Sequence, residues 1–237
     1  MDKNKLFPKT HIWLILPFIV VICGFYFSYW SKFLDVPFRQ HIHGLTATCW
    51  FILVIVQPYL YQKGNIRLHR KIGLIGLFLA GGVVFSMLQM LPFILSSGIP
   101  SDIAYGILFL DFIALGGFSF SIWMGIRNVK NIRIHGRWMV ATVIWSFQPA
   151  VIRLIDFSIR KTTNGNSPFN FTELVYISNA IIFLAIIIIM LDDYRKEKVI
   201  YSSYMVICIT VILMSTLYSY ITKASWWGYF LESVLKS

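Results

Sequence analysis

Charge is scarce in this sequence of 237 residues. Asp, Glu, Lys and Arg make up 13% of it, against roughly a quarter in an ordinary soluble domain. Acid is scarcest, with 10 carboxylates against 21 basic residues and a net charge of +11. The three cysteines, Cys23, Cys49 and Cys208, lie in apolar runs without C-x-x-C spacing. That excludes a disulfide framework and a thiolate metal site, and the cysteines read as small buried apolar residues. No G-x-S-x-G elbow, H-E-x-x-H, P-loop or Rossmann fingerprint occurs, so soluble-enzyme chemistry has no motif to stand on.

What is abundant is apolar: 57% of the residues are hydrophobic and 17% aromatic, with a mean hydropathy of +0.70. Seven runs near bilayer length recur: Ile12–Trp30, Ile42–Tyr61, Ile72–Leu95, Ala104–Ile126, Trp138–Phe157, Glu173–Leu191 and Val199–Thr222. They predict an all-α polytopic membrane bundle of about seven transmembrane helices, one transmembrane domain over residues 1–237. The first run lacks an A-x-A cleavage site and reads as a retained helix. Gly81, Gly82, Gly116 and Gly117 predict close helix approach, and Pro17, Pro58, Pro92 and Pro149 predict kinks.

Fourteen of the 21 basic residues fall on the loops that share a side with the N-terminus, and six on the other side. By the positive-inside rule the N-terminus is cytoplasmic and the C-terminus outside. Residues 223–237, with Trp226, Trp227, Tyr229 and Phe230, read as an interfacial tail. Basic charge confined to short loops implies membrane lipids as partners and excludes nucleic acid.

A local repeat is the most specific feature. Asn65-Ile66-Arg67-Leu68-His69-Arg70-Lys71 is echoed 66 residues later by Asn131-Ile132-Arg133-Ile134-His135-Gly136-Arg137. The core helices, residues 42–157, therefore read as two possible parallel repeats. This predicts His69 and His135 at equal depth, each just before an ascending helix. Facing imidazoles suit the two axial positions of one haem b, with Arg70, Lys71 or Arg137 receiving its propionates. The same residues also suit lipid phosphates. His41 and His43 open the second helix on the other side and diverge, because residues two apart on a helix point in different directions.

Asp111 and Arg153 are each expected within about 10 Å of the outer surface, close enough to pair. His43, Gln89, Gln148, Asp156 and Glu173 could reach the same outer half. This polar cluster suits a small-solute or lipid transporter or sensor, or merely fixes helix packing. His43 with Asp111, Asp156 or Glu173 could also serve a membrane metallohydrolase, and a scaffold that assembles with partners or with its own copies remains a further alternative.

Several of these residues resemble a bacterial membrane-protein family catalogued as domain of unknown function 2306. They are His41-Ile42-His43-Gly44 opening a helix that ends in Gln57-Pro58, Leu68-His69-Arg70-Lys71-Ile72-Gly73, His135-Gly136-Arg137-Trp138-Met139, and Arg153. The likeness covers the second to fifth helices. It implies a multi-pass protein of the bacterial inner membrane with His43, His69, His135 and Arg153 at family-pattern positions; Gly136 departs from the basic residue usual there. A broader likeness is to transmembrane b-type cytochromes, which implies a redox partner; two haems would need a ligand pair on each face, and the outer face offers only His43, so at most one haem follows.

Overall fold

A computed structural model describes residues 9–235, and these are helical without a strand. The sequence expectations on Lys3, Lys5 and Lys236 lie outside the described residues. The helices are α1 (Thr10–Trp13), α2 (Ile15–Gly24), α3 (Phe38–Gln62), α4 (Ile66–Ser96), α5 (Ser101–Arg127), α6 (Ile132–Trp145), α7 (Gln148–Thr162), α8 (Phe171–Glu197), α9 (Ser202–Lys223) and α10 (Ser225–Leu235).

Five of them, α3, α4, α5, α8 and α9, are long and apolar enough to cross a membrane. The bent pair α6 and α7 makes a sixth if it forms one span. The chain is a multi-pass membrane protein.

Two of the seven predicted runs are not single helices. Residues 10–24 divide at Leu14, where Pro17 has no N–H to offer the carbonyl of Trp13, and end at Gly24. Fifteen residues rise about 22 Å, short of a hydrocarbon core of about 30 Å. The fifth run breaks after Trp145, and α7 leaves at 41° to α6. Pro149 cannot donate to the Trp145 carbonyl, and Ser146 and Phe147 close tighter turns on Val143 and Ile144. Pro58 and Pro92 lie inside continuous helices.

Lipid is as apolar as leucine, so close packing and interhelical hydrogen bonds hold such a bundle rather than exclusion of water. Trp50 Nε1 on α3 donates to Thr142 on α6 at 3.0 Å, and Trp145 Nε1 donates to Ser121 on α5 at 3.0 Å. Gly117 lets the Trp145 ring lie on the α5 backbone, and Gly24 brings α2 against the backbone of Ala150. Gly81 and Gly116 face open space and mediate no approach. Cys23 and Cys49 are exposed on helix faces; only Cys208 is buried.

α10 lies at the end of the bundle reached by the C-terminus of α9. Trp227 and Leu231 are buried against α5 and α9, while Trp226, Tyr229 and Phe230 are exposed. That is the amphipathic placement expected of an interfacial segment.

Candidate functional site

Each copy of the repeat opens a helix in the same way. The Asn65 side chain accepts from the backbone N–H of Leu68, and that of Asn131 from Ile134. These caps start α4 and α6 earlier than the apolar pattern suggests, so the histidines stand in the first turns and not before the helices.

From there the two rings converge, with centroids 6.5 Å apart and planes at 80°. Each is anchored by the helix that precedes it. His69 Nδ1 lies 3.2 Å from the Gln57 carbonyl and His135 Nδ1 2.8 Å from the Gly125 carbonyl. A carbonyl only accepts, so Nδ1 carries a proton in both rings, and in the neutral form of each imidazole the lone pair is then on Nε2. Backbone orientation of this kind is typical of histidines that bind metal.

Around the pair, polar groups are left over. Among the described residues the buried Gln57 side-chain amide has no hydrogen-bond partner, and neither does the indole nitrogen of Trp138, a residue only 1% exposed. Trp138 follows His135 by three residues and Gly73, where an added Cβ would lie 3.7 Å from the Gln57 amide nitrogen, follows His69 by four. Both orphans therefore lie about one turn deeper than the imidazoles.

The predicted cations differ in availability. Arg70 is exposed and makes no ion pair with a described residue. Arg137 is 3% exposed, and most of its donors are engaged. It donates to Asp193 at 2.6 and 2.7 Å, to Glu197 at 2.7 Å and to the Arg133 carbonyl at 3.0 Å, with the Tyr201 ring 3.6 Å from its guanidinium. Glu197 also accepts from Tyr201, and pairs with Arg133 at 3.4 Å. Burial, together with that bond to Glu197, pushes the Tyr201 phenol above its ordinary range. Arg137 thus clamps α6 to the end of α8, with its donors turned to Asp193 and Glu197.

The second predicted cluster is redistributed. Asp111 is 6% exposed, with no hydrogen bond or ion pair to a described residue. Arg153 does not pair with it: α7 turns that side chain toward α2, where it donates to the Pro149 carbonyl and lies 4.6 Å from the Phe25 ring. Its charge still reaches both Asp111 and His43. His43 meets Ser86 at 3.2 Å and His41 meets Tyr29 at 3.3 Å, so the two histidines do diverge.

Gln89 is exposed on α4, Asp156 pairs with Arg160 at 2.9 Å, and Glu173 completes a capping box with Asn170. No group of three or more His, Cys, Asp or Glu side chains able to hold a metal ion occurs among the described residues.

Gln148 has a different partner. It sits at the break, 6% exposed, and donates to Asn179 on α8, which donates to Ser215 on α9 at 2.9 Å. This chain borders a cavity of about 20 Å³ lined mainly by Leu110, Ile144, Trp145, Ile182 and Met214. That volume accommodates one water molecule. Asn179 and Ser215 were not predicted; a polar residue inside each of the sixth and seventh runs was the available signal.

No family model, curated protein or solved structure matches the chain.

Proposed function

We propose that this protein is a redox-type protein of the bacterial inner membrane in which His69 and His135 hold one haem b between them. The carrying observation is the convergence of two imidazoles whose Nδ1 protons are both committed to backbone carbonyls. Two imidazoles ligating one metal from opposite faces at about 2 Å each have ring centres about 6 Å apart. The observed 6.5 Å fits that separation. The Gln57 amide, without a hydrogen-bond partner among the described residues, fits a site that takes a further polar group.

Bound, the haem would supply one-electron transfer. The chain's own part is to orient both rings through their Nδ1 contacts and to leave Arg70 beside His69 as the available propionate cation. The exposed Lys63, Arg67, Lys71 and Lys130 at the same end suit an acidic surface on a redox partner. Their excess also supports a cytoplasmic position for this end. The first apolar segment supports a seventh crossing, because His11 packs on Tyr59 at one end of α3 and Phe27 stacks on Phe157 near the far end of α7.

A visible spectrum tests the haem. Protein purified after expression with ample haem is expected to carry a Soret band that His69→Ala and His135→Ala each abolish. A flat spectrum from folded wild-type protein rejects the reading.

A second reading is favoured by the helix break. Discontinuous helices near mid-membrane form the sites of many transporters. Here the break carries Gln148, with the unpartnered Asp111 on α5, in support of a small-solute transporter or sensor.

A further inference from the structure

One side of α4 carries a stripe that the bundle leaves uncovered. Leu74, Phe78, Gly81, Phe85, Gln89 and Pro92 are all exposed, and they follow one another at steps of four, three, four, four and three residues. Such steps keep the six positions on one side of the helix along its apolar length. Leu74, Phe78 and Phe85 are 65%, 84% and 59% exposed.

Gln89 sets this stripe apart from the other uncovered faces. It stands about 9 Å inside the apolar end of α4 at Leu95, and one turn deeper than Phe93, whose ring lies 5.0 Å from the Arg39 guanidinium. Its amide is therefore at hydrocarbon depth, and it makes no hydrogen bond to a described residue. An exposed hydroxyl such as that of Thr216 is satisfied on its own helix, where it donates to the Leu213 carbonyl at 3.0 Å. The face of α8 at Ile181, Leu184 and Ile188 is exposed as well but offers only hydrocarbon. Lipid tails neither donate nor accept, so the Gln89 amide calls for a protein partner.

A second copy of this chain supplies one. Inserted in the same direction, it presents its own Gln89 at the same depth, and a two-fold axis along the membrane normal sets like residues opposite each other. A primary amide has both a carbonyl acceptor and N–H donors, so two of them satisfy each other without any charge. Gly81, about two turns away, has nothing within 4 Å of where a Cβ would stand, so two backbones can approach there with Phe78 and Phe85 packing on either side. No charged residue lies on the stripe between Leu74 and Pro92. Arg67 and Lys71 continue it only at the histidine end, where water and salt screen like charges.

We propose that this face of α4 is a homodimer interface in which the Gln89 amides of two copies hydrogen-bond to each other and Gly81 sets the closest approach of the helices.

The test uses the full-length protein in liposomes at a series of protein-to-lipid ratios, with association read by resonance energy transfer between donor- and acceptor-labelled copies. The wild type is expected to associate reversibly, Gln89→Leu to weaken association roughly tenfold, and Gln89→Asn, which keeps the amide, to retain most of it. Gly81→Ile should also weaken it, by holding the backbones apart. These positions are exposed, so helix content and Tm are expected to stay at wild-type values and separate lost association from lost folding. In a cysteine-free background, oxidative cross-linking in intact cells should give a dimer from Phe85→Cys and none from Ile188→Cys. Wild-type protein that stays monomeric at every ratio overturns the proposal, as does undiminished association of Gln89→Leu. Cross-linking from Ile188→Cys as strong as from Phe85→Cys also overturns it, and so does an adduct of Phe85→Cys with a different protein in place of the dimer.

Discussion

At the scale of the single residue, Arg137 is the side chain whose role changed most between sequence and structure. Two basic residues four apart on α6, Arg133 and Arg137, meet two acidic residues four apart on α8, Asp193 and Glu197. That matched spacing was legible, because helical neighbours at i and i+4 share a face and both pairs lie at the same end of the bundle. What the sequence did not contain was which helix α6 would meet. Removing one partner of a buried pair leaves the other charges uncompensated, so Arg137→Ala is expected to cost about 3–5 kcal/mol. Arg137→Lys should recover only part of this, since one ammonium cannot reproduce a fork that engages two carboxylates. Chemical unfolding in detergent micelles measures both; a loss below 1 kcal/mol for the alanine variant would mean that the clamp contributes little.

At the scale of the element, long uninterrupted helices were legible and broken ones were not. α3, α4, α5, α8 and α9 follow from runs of apolar residues, whereas the division of the first and fifth runs depends on whether neighbouring helices re-satisfy the groups that a proline frees. Pro58 and Pro92 are absorbed without a break, yet Pro149 stands just after a change of direction that aims Arg153 at α2 and away from Asp111. The histidine pair was readable because a repeated motif places two copies at one depth without knowledge of packing. The Asp111 environment depends on the rotation of α7 and was not readable. That rotation makes a sharp prediction. A carboxylate without a hydrogen-bonding partner in hydrocarbon costs about 2.5–3.5 kcal/mol, so Asp111→Asn is expected to raise the melting temperature. Stability given up at this position is what a functional residue would show. A lowered melting temperature would instead mark Asp111 as part of a structural ion pair and remove the solute-site reading.

At the scale of the whole molecule, the quantity that fixes topology is parity. Five spans, the bent pair α6–α7 and the short first segment sum to an odd number only if residues 10–24 cross the bilayer, and parity decides whether the two termini share a compartment. The segment's own length argues against a crossing, at about 22 Å of helix. Its contacts argue for one, because they begin at Tyr59 and end at Phe157, and local thinning of the bilayer accommodates a short span at modest cost. The proposed orientation puts the histidine end in the cytoplasm whichever count holds, because the basic residues gather there. In a cysteine-free background, Gly64→Cys and Lys130→Cys are therefore expected to resist a membrane-impermeant maleimide in intact cells, and Asn164→Cys and Ser225→Cys to react. A tag before residue 9 then reports the parity. Protected, it places the N-terminus with the histidines and makes the first segment a crossing; labelled, it makes that segment a re-entrant hairpin against α3 and α7 and leaves six spans.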